Sequence, residues 1–229
     1  GIADFKKMYP IFEVMEEVGM PLLIHGESTE PDVFCLDRER KFIGVLFDLT
    51  LNFPDLKIVM EHLSTKDAVE SIKQMSPNIA GTITAHHLVL TLDDMIGGKF
   101  SPHNFCKPIA KLPKDRYALI KVAISGNPKF FFGSDSAPHL REKKECDGGA
   151  AGIFSAPVAL LLLAEVFEAN NALDKLENFV SVFGAQFYGL PLNEGKVRFT
   201  KDEWIVPSNY CGVVPFLAGK KMSWRVARI

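Results

Sequence analysis

Apolar positions along this chain alternate between two rhythms. Residues 3 to 18 place Phe5, Met8, Ile11, Phe12, Met15 and Val18 at helical spacing, and Gly19 ends the run before the compact apolar segment Pro21-Leu22-Leu23-Ile24. Pro10 predicts a kink in that first helix, or its division into two shorter ones. Residues 32 to 52 read as a second amphipathic helix with Phe42, Val45 and Leu46 on its inner face. A second apolar strand, Leu56 to Met60, leads into Ser64-Thr65-Lys66-Asp67, which resembles an N-cap, and Ala68, Ile72 and Met75 then follow on one helical stripe. A third strand runs through Ile79 to Thr84 toward His86 and His87. After a looped section rich in Gly, Pro and His (96 to 113), residues 114 to 125 predict a helix that feeds the fourth strand, Phe130-Phe131-Phe132. Helices are expected near 156–169 and 172–183, whereas the stretch from Tyr188 onward shows little periodicity and is expected to wrap the outside.

Strands that alternate with helices predict an α/β fold around a parallel sheet. Four such units make half of an eight-unit barrel, which needs about 250 residues in full; a four-stranded open sheet is the alternative. With no linker, repeat or low-complexity tract, residues 1–229 read as a single domain.

Composition excludes more than it selects. The net charge is −2 and basic residues are scattered, which argues against a nucleic-acid surface. The longest apolar run, Ala156 to Ala164, is too short to cross a bilayer, and no signal-peptide pattern opens the chain. Four separated cysteines (Cys35, Cys106, Cys146, Cys211) read as reduced thiols, so the expected location is cytoplasmic.

The chemistry sits where strands end. Pro21–Ile24 gives way to His25-Gly26-Glu27, Leu56–Met60 to Glu61-His62, and Phe130–Phe132 to Gly133-Ser134-Asp135-Ser136-Ala137-Pro138-His139. In parallel α/β folds the carboxyl ends of strands carry the ligand sites. His25, His62 and Asp135 would thus reach one rim, with the donor types of a catalytic zinc site. Each also has a plainer reading, as a hydrogen-bonded histidine or an Asx-turn aspartate. Glu27 and Glu61 suit either partners for ligating imidazoles or surface charge. His86 is expected to be solvated and His87 to join an interior network, the pair facing opposite ways, while His103 reads as structural. Gly148-Gly149-Ala150-Ala151-Gly152 is not a dinucleotide loop; its use would be close backbone approach to a small ligand.

Several segments together resemble one family. They are Gly19–Glu27, Glu61-His62-Leu63-Ser64-Thr65-Lys66-Asp67-Ala68, Thr82-Ile83-Thr84 leading to His87-Leu88, and Pro102-His103 leading to Cys106-Lys107-Pro108-Ile109. Gly133–His139, Ala156-Pro157, Gln186–Pro191 and Val214–Gly219 continue the series in order. This set is similar to the single-function dihydroorotases of bacteria and fungi, in the amidohydrolase superfamily. The resemblance implies a TIM (β/α)8 barrel with two zinc ions per complete site. It also implies reversible cyclisation of N-carbamoyl-L-aspartate to L-dihydroorotate in pyrimidine synthesis, and possible homodimers. His25 and His62 match ligands of one zinc, and Asp135 matches a ligand of the other and the general acid/base. His139 matches a substrate-carboxylate contact, and the backbones of Lys107 and Ala151 match contacts to the pyrimidine ring. The family's His-x-His pair, its substrate-gripping Arg and Asn, and its carbamylated bridging Lys have no counterpart here. The chain is thus expected to cover roughly the C-terminal half of the barrel, beginning after the fourth strand. A hydantoinase- or allantoinase-like cyclic amidohydrolase and a non-catalytic half-barrel are the competing readings.

Overall fold

A computed structural model describes residues 4–229. After a short 3-10 turn (Phe5–Met8), the elements run α1 Tyr9–Glu17, β1 Leu22–His25, α2 Arg38–Asn52, β2 Ile58–Glu61, α3 Lys66–Gln74, β3 Ile79–Ile83, α4 Asp93–Ile96, α5 Pro113–Ala123 and β4 Phe130–Phe132. The chain continues with α6 Arg141–Lys144, α7 Ala159–Ala169, α8 Phe183–Tyr188, β5 Val197–Ile205 and β6 Lys221–Arg228. Strands β1 to β4 form one parallel sheet in sequential order, β1-β2-β3-β4. That order, with a helical crossover at each step, is how a (β/α) barrel wall is laid down.

Burial explains the sheet. β2 and β3 are the inner strands, and Ile58, Val59, Met60, Ile79, Ala80 and Ile83 are all buried, as near-continuous apolar runs predict for a strand covered on both faces. Phe42, Leu46 and Leu49 of α2 and Ala68, Val69 and Ile72 of α3 cover one side. Thr65 caps α3, its side chain accepting from the Ala68 N–H at 3.2 Å. β1 lies at the sheet edge. There Leu23 is exposed, together with Ile11 and Val14 of α1 and Val18 and Met20 between the two elements.

Of the two outcomes expected at Pro10, the division into shorter pieces is the one found: Phe5–Met8 form the 3-10 turn, and Pro10 occupies the first turn of α1, where a missing N–H costs nothing. Residue 3, at the predicted start of that helix, lies outside the described residues. The segment after Tyr188 does not merely wrap the surface. β5 and β6 pair as an antiparallel hairpin, and Met222 and Val206 join the core. From 173 to 188 the chain is helical with a π turn at Asn178–Val182, running five residues beyond the predicted end. Among the described residues no helix is long and apolar enough to span a membrane.

Candidate metal and substrate site

His25 is the last residue of β1, His62 the first after β2, and Asp135 follows β4 by three residues. All three therefore emerge at the carboxyl ends of parallel strands. On a flat sheet β1 and β4 would stand roughly 14 Å apart, three strand spacings.

The two imidazoles meet directly. His25 Nδ1 lies 3.2 Å from His62 Nε2, with the rings at 65°. On its other side His25 Nε2 contacts Glu27 Oε2 at 3.1 Å. Burial alone would raise the Glu27 pKa, but the His25 hydrogen bond and then Lys111 bring it below the usual carboxylate range. An ionised carboxylate only accepts, so the His25 Nε2 that faces it carries a proton. Lys111 Nζ, almost wholly buried, stands 3.7 Å from Glu27 Oε1. Burial, then the neighbouring His25 and His87, pushes the His62 pKa down to about 3, so its ring is neutral at neutral pH. Two imidazole nitrogens that face each other at 3.2 Å match an edge of a zinc coordination tetrahedron, roughly 3.3 Å for Zn–N bonds near 2.0–2.1 Å. His62 Nδ1 is buried without a protein partner among the described residues. This donor set fits a divalent metal.

Backbone strain marks the same residues. His62 (φ 43°) and Asp135 (φ 37°) lie in the left-handed region that non-glycine residues rarely enter. The His62 N–H is tied to Thr82 Oγ1 at 2.7 Å. A Cβ at Gly133 would lie 2.7 Å from Thr82 Cβ, so the end of β4 needs glycine to close against β3. Buried Glu39 then fastens the turn after His62. Its carboxyl accepts from the Ser64 N–H (2.9 Å), the Thr65 N–H (2.8 Å) and both hydroxyls. The Asp135 pKa is raised, by burial first and against His25; the residue is exposed overall, so solvent screens the shift. Glu61 is raised by burial and then by Asp135.

On the far side of the rim, His139 Nε2 lies 3.1 Å from the Ala151 carbonyl oxygen, and Gly152 (φ 150°) packs so closely that a Cβ would meet Ala137 and His139. Lys107 has an exposed side chain and precedes Pro108 in a loop. His139 and Ala151 are thus brought together, and Lys107 lies on the neighbouring segment.

Among the remaining histidines, His86 departs from expectation. His86 is not solvated: it is fully buried, and neither ring nitrogen has a partner among the described residues. Nor do His86 and His87 face apart, because a 3-10 turn (His86–Leu88) replaces the strand here and brings their ring centroids to 4.8 Å. His87 is interior as expected, with Nδ1 at Thr84 Oγ1 (2.8 Å) and Nε2 at Pro108 O (3.0 Å). Ligand atoms of His86, His87 and Cys106 lie within 4.8 Å of one another. Both His87 nitrogens are engaged, however, and the Cys106 thiol donates to Pro108 O with burial pushing its pKa up to about 12. Of the three, only His86 has ring nitrogens without a partner among the described residues, and one imidazole does not make a metal centre. His103 pairs with Glu145 at 2.8 Å at the surface, as a structural residue would.

Glu39, Thr82, Lys111 and Lys144 were not foreseen. Glu39 had a signal: it continues the Phe42–Leu46–Leu49 stripe of α2 by a helical step, an acid on an apolar face.

No family profile matches the chain. Among curated proteins, a dihydroorotase of Hahella chejuensis is 48% identical over 230 residues, covering 98% of this chain and 67% of that protein. The crystal structure of a Saccharomyces cerevisiae dihydroorotase in complex with 5-fluoroorotic acid superposes with TM-score 0.92 at 40% identity, over all of this chain and 69% of that one. An L-hydantoinase from Arthrobacter aurescens shares the fold (TM-score 0.83, 60% of its length) at only 16% identity. The chain thus spans about two thirds of its relatives' length. It carries four strands of the barrel wall, and the segments after β4 account for the excess over half.

Proposed function

This chain belongs to the dihydroorotase family of metal-dependent amidohydrolases, and we propose that His25 and His62 hold a zinc ion while Asp135 moves the proton in its reaction. The family's enzymes hydrolyse a cyclic amide and form it in reverse, within pyrimidine synthesis. The observation that carries the site assignment is the facing of two imidazole nitrogens, His25 Nδ1 and His62 Nε2, at 3.2 Å. In hydrolysis a water oxygen bonds to the ring carbonyl carbon, the C–N bond breaks, and the departing nitrogen gains a proton. Zinc bound at this rim, two ions in the complete site, supplies positive charge that polarises the carbonyl and acidifies the water.

The other roles belong to the chain. Asp135 accepts the proton from the attacking oxygen and returns it to the nitrogen; in cyclisation it runs the same transfer backwards. His139 holds the substrate carboxylate, and the main chains of Lys107 and Ala151 meet the ring. The orotate analogue bound by the Saccharomyces relative supports a carboxylated pyrimidine as the ligand. The His-x-His pair and bridging lysine of the family have no counterpart in residues 1–229, so His25, His62 and Asp135 are part of a complete ligand set. A cytoplasmic homodimer acting on small molecules, without nucleic acid or membrane, completes the reading.

The test is L-dihydroorotate hydrolysis by the intact protein beside its Asp135→Asn variant, with metal content measured on both. We expect kcat to fall about 10²–10⁴-fold in the variant. Undiminished turnover would remove Asp135 from the mechanism, and absence of bound zinc in active wild-type protein would remove the metal assignment.

A further inference from the structure

Lys144 ends α6, amid a run of charged residues that reads as solvated surface. It is instead 3% exposed. Its ammonium reaches three main-chain oxygens: Phe105 O at 2.8 Å, Ala150 O at 2.9 Å and Gly152 O at 2.6 Å. An ammonium has three N–H donors, so all are used, and among the described residues none goes to a carboxylate. The Phe105 ring lies 5.9 Å from Nζ.

These carbonyls belong to two separate segments. One leads from Phe105 to Lys107; the other is Ala150-Ala151-Gly152, and the Gly152 N–H joins them by donating to Phe105 O at 3.0 Å. Carbonyls 150 and 152 turn toward Lys144, whereas the carbonyl between them, Ala151 O, meets His139 Nε2 at 3.1 Å. The strip is therefore gripped from both sides. Neither the Ala151 N–H nor the Lys107 N–H has a protein acceptor among the described residues, which leaves both donors free for a ligand.

We propose that Lys144 is a positioning residue that fastens the Phe105–Lys107 and Ala150–Gly152 backbones together and so sets the spacing of the two main-chain walls that grip the pyrimidine ring. This rests on the substrate contacts proposed above for His139, Lys107 and Ala151. Lys144 touches neither substrate nor metal. Its effect is on substrate affinity, not on the chemical step. Burial pushes its pKa down to about 8, because a cation withdrawn from water is harder to keep charged.

The experiment is steady-state kinetics of L-dihydroorotate hydrolysis by the intact protein carrying Lys144→Met, Lys144→Arg or His139→Ala, with zinc content and thermal melts alongside. Lys144→Met keeps the stem and removes the donors. KM should rise about tenfold or more, since small misplacements of binding groups cost that much, with kcat within about threefold and zinc retained. Lys144→Arg offers a planar fork in place of three divergent donors and should rescue KM only partly. If Lys144→Met is unfolded at the assay temperature, Lys144→Arg decides, and an unchanged KM there overturns the proposal. An unchanged KM in Lys144→Met overturns it directly, as does a fall in kcat at constant KM. If His139→Ala raises KM and Lys144→Met does not, the positioning claim fails alone. If neither does, the substrate reading beneath it fails too.

Discussion

Glu39 offers the most direct test of how this rim is held. Its carboxyl is fully buried and accepts two backbone N–H groups, Ser64 and Thr65, with both of their hydroxyls. In Glu39→Ala the hydroxyls can rotate toward other acceptors, but the two N–H groups cannot. Each stranded donor costs about 1–3 kcal/mol. Removing a buried carboxylate's desolvation penalty returns part of that, so a net loss of about 3–4 kcal/mol is expected. Glu39→Gln keeps the volume and one acceptor oxygen and should lose about 1–2 kcal/mol. The pH dependence gives an independent sign. Burial raises the Glu39 pKa above its ordinary 4.5, against the opposing hydrogen bonds and Lys111. Over the window from 4.5 upward the folded state then binds more protons than the unfolded state, so stability from this group is full below 4.5 and is lost as pH rises through the folded pKa. Glutamine does not titrate, so the wild-type advantage over Glu39→Gln should shrink with rising pH. Urea unfolding followed by far-UV circular dichroism at several pH values measures both quantities. A Glu39→Ala loss under about 1 kcal/mol, or an advantage that grows with pH, would refute the account.

Two further outcomes follow from the same rim. Removing the partner of a ligating imidazole typically weakens metal binding about 10–100-fold, so Glu27→Gln should do so in competition titrations with a chromophoric chelator, and Lys111→Met should do so to a smaller degree; unchanged affinity in both would show that the His25 tautomer is set elsewhere. In Gly133→Ala the new Cβ meets Thr82, which anchors the His62 N–H, and thermal melts should show a loss of about 1–3 kcal/mol.

What could be read in the chain, and what could not, divides along physical lines. His25, His62 and Asp135 were legible because an apolar strand that breaks into polar residues marks its own carboxyl end, and parallel pairing carries those ends to one side. The β5–β6 hairpin was missed for a definite reason. Phe199 and Trp204 are five residues apart, an odd step that breaks two-residue alternation, and the register shift between Lys201 and Trp204 restores the pairing in three dimensions. His86 looked solvated because a histidine pair was assumed to continue β3, whereas the 3-10 turn carries both rings inward.

The buried charges were hidden differently. Lys111 sits in an aperiodic loop, and Lys144 in the run Arg141-Glu142-Lys143-Lys144-Glu145, where every local rule reads solvent. Their burial depends on partners far along the chain: Glu27 for one, and the carbonyl of Phe105 for the other. No period of 2 or 3.6 encodes such a partner. Both cations are internal because each closes a gap between segments that follow different strands, Glu27 after β1 with the loop before α5, and Phe105 with the strip beyond β4. A barrel rim is assembled from loops with few backbone hydrogen bonds to one another, so a long cationic side chain with directed donors is an economical clasp between them. Lys111 and Lys144 close two such gaps by different means, one with a carboxylate and a carbonyl beside the candidate ligands, the other with three carbonyls beside the candidate substrate walls.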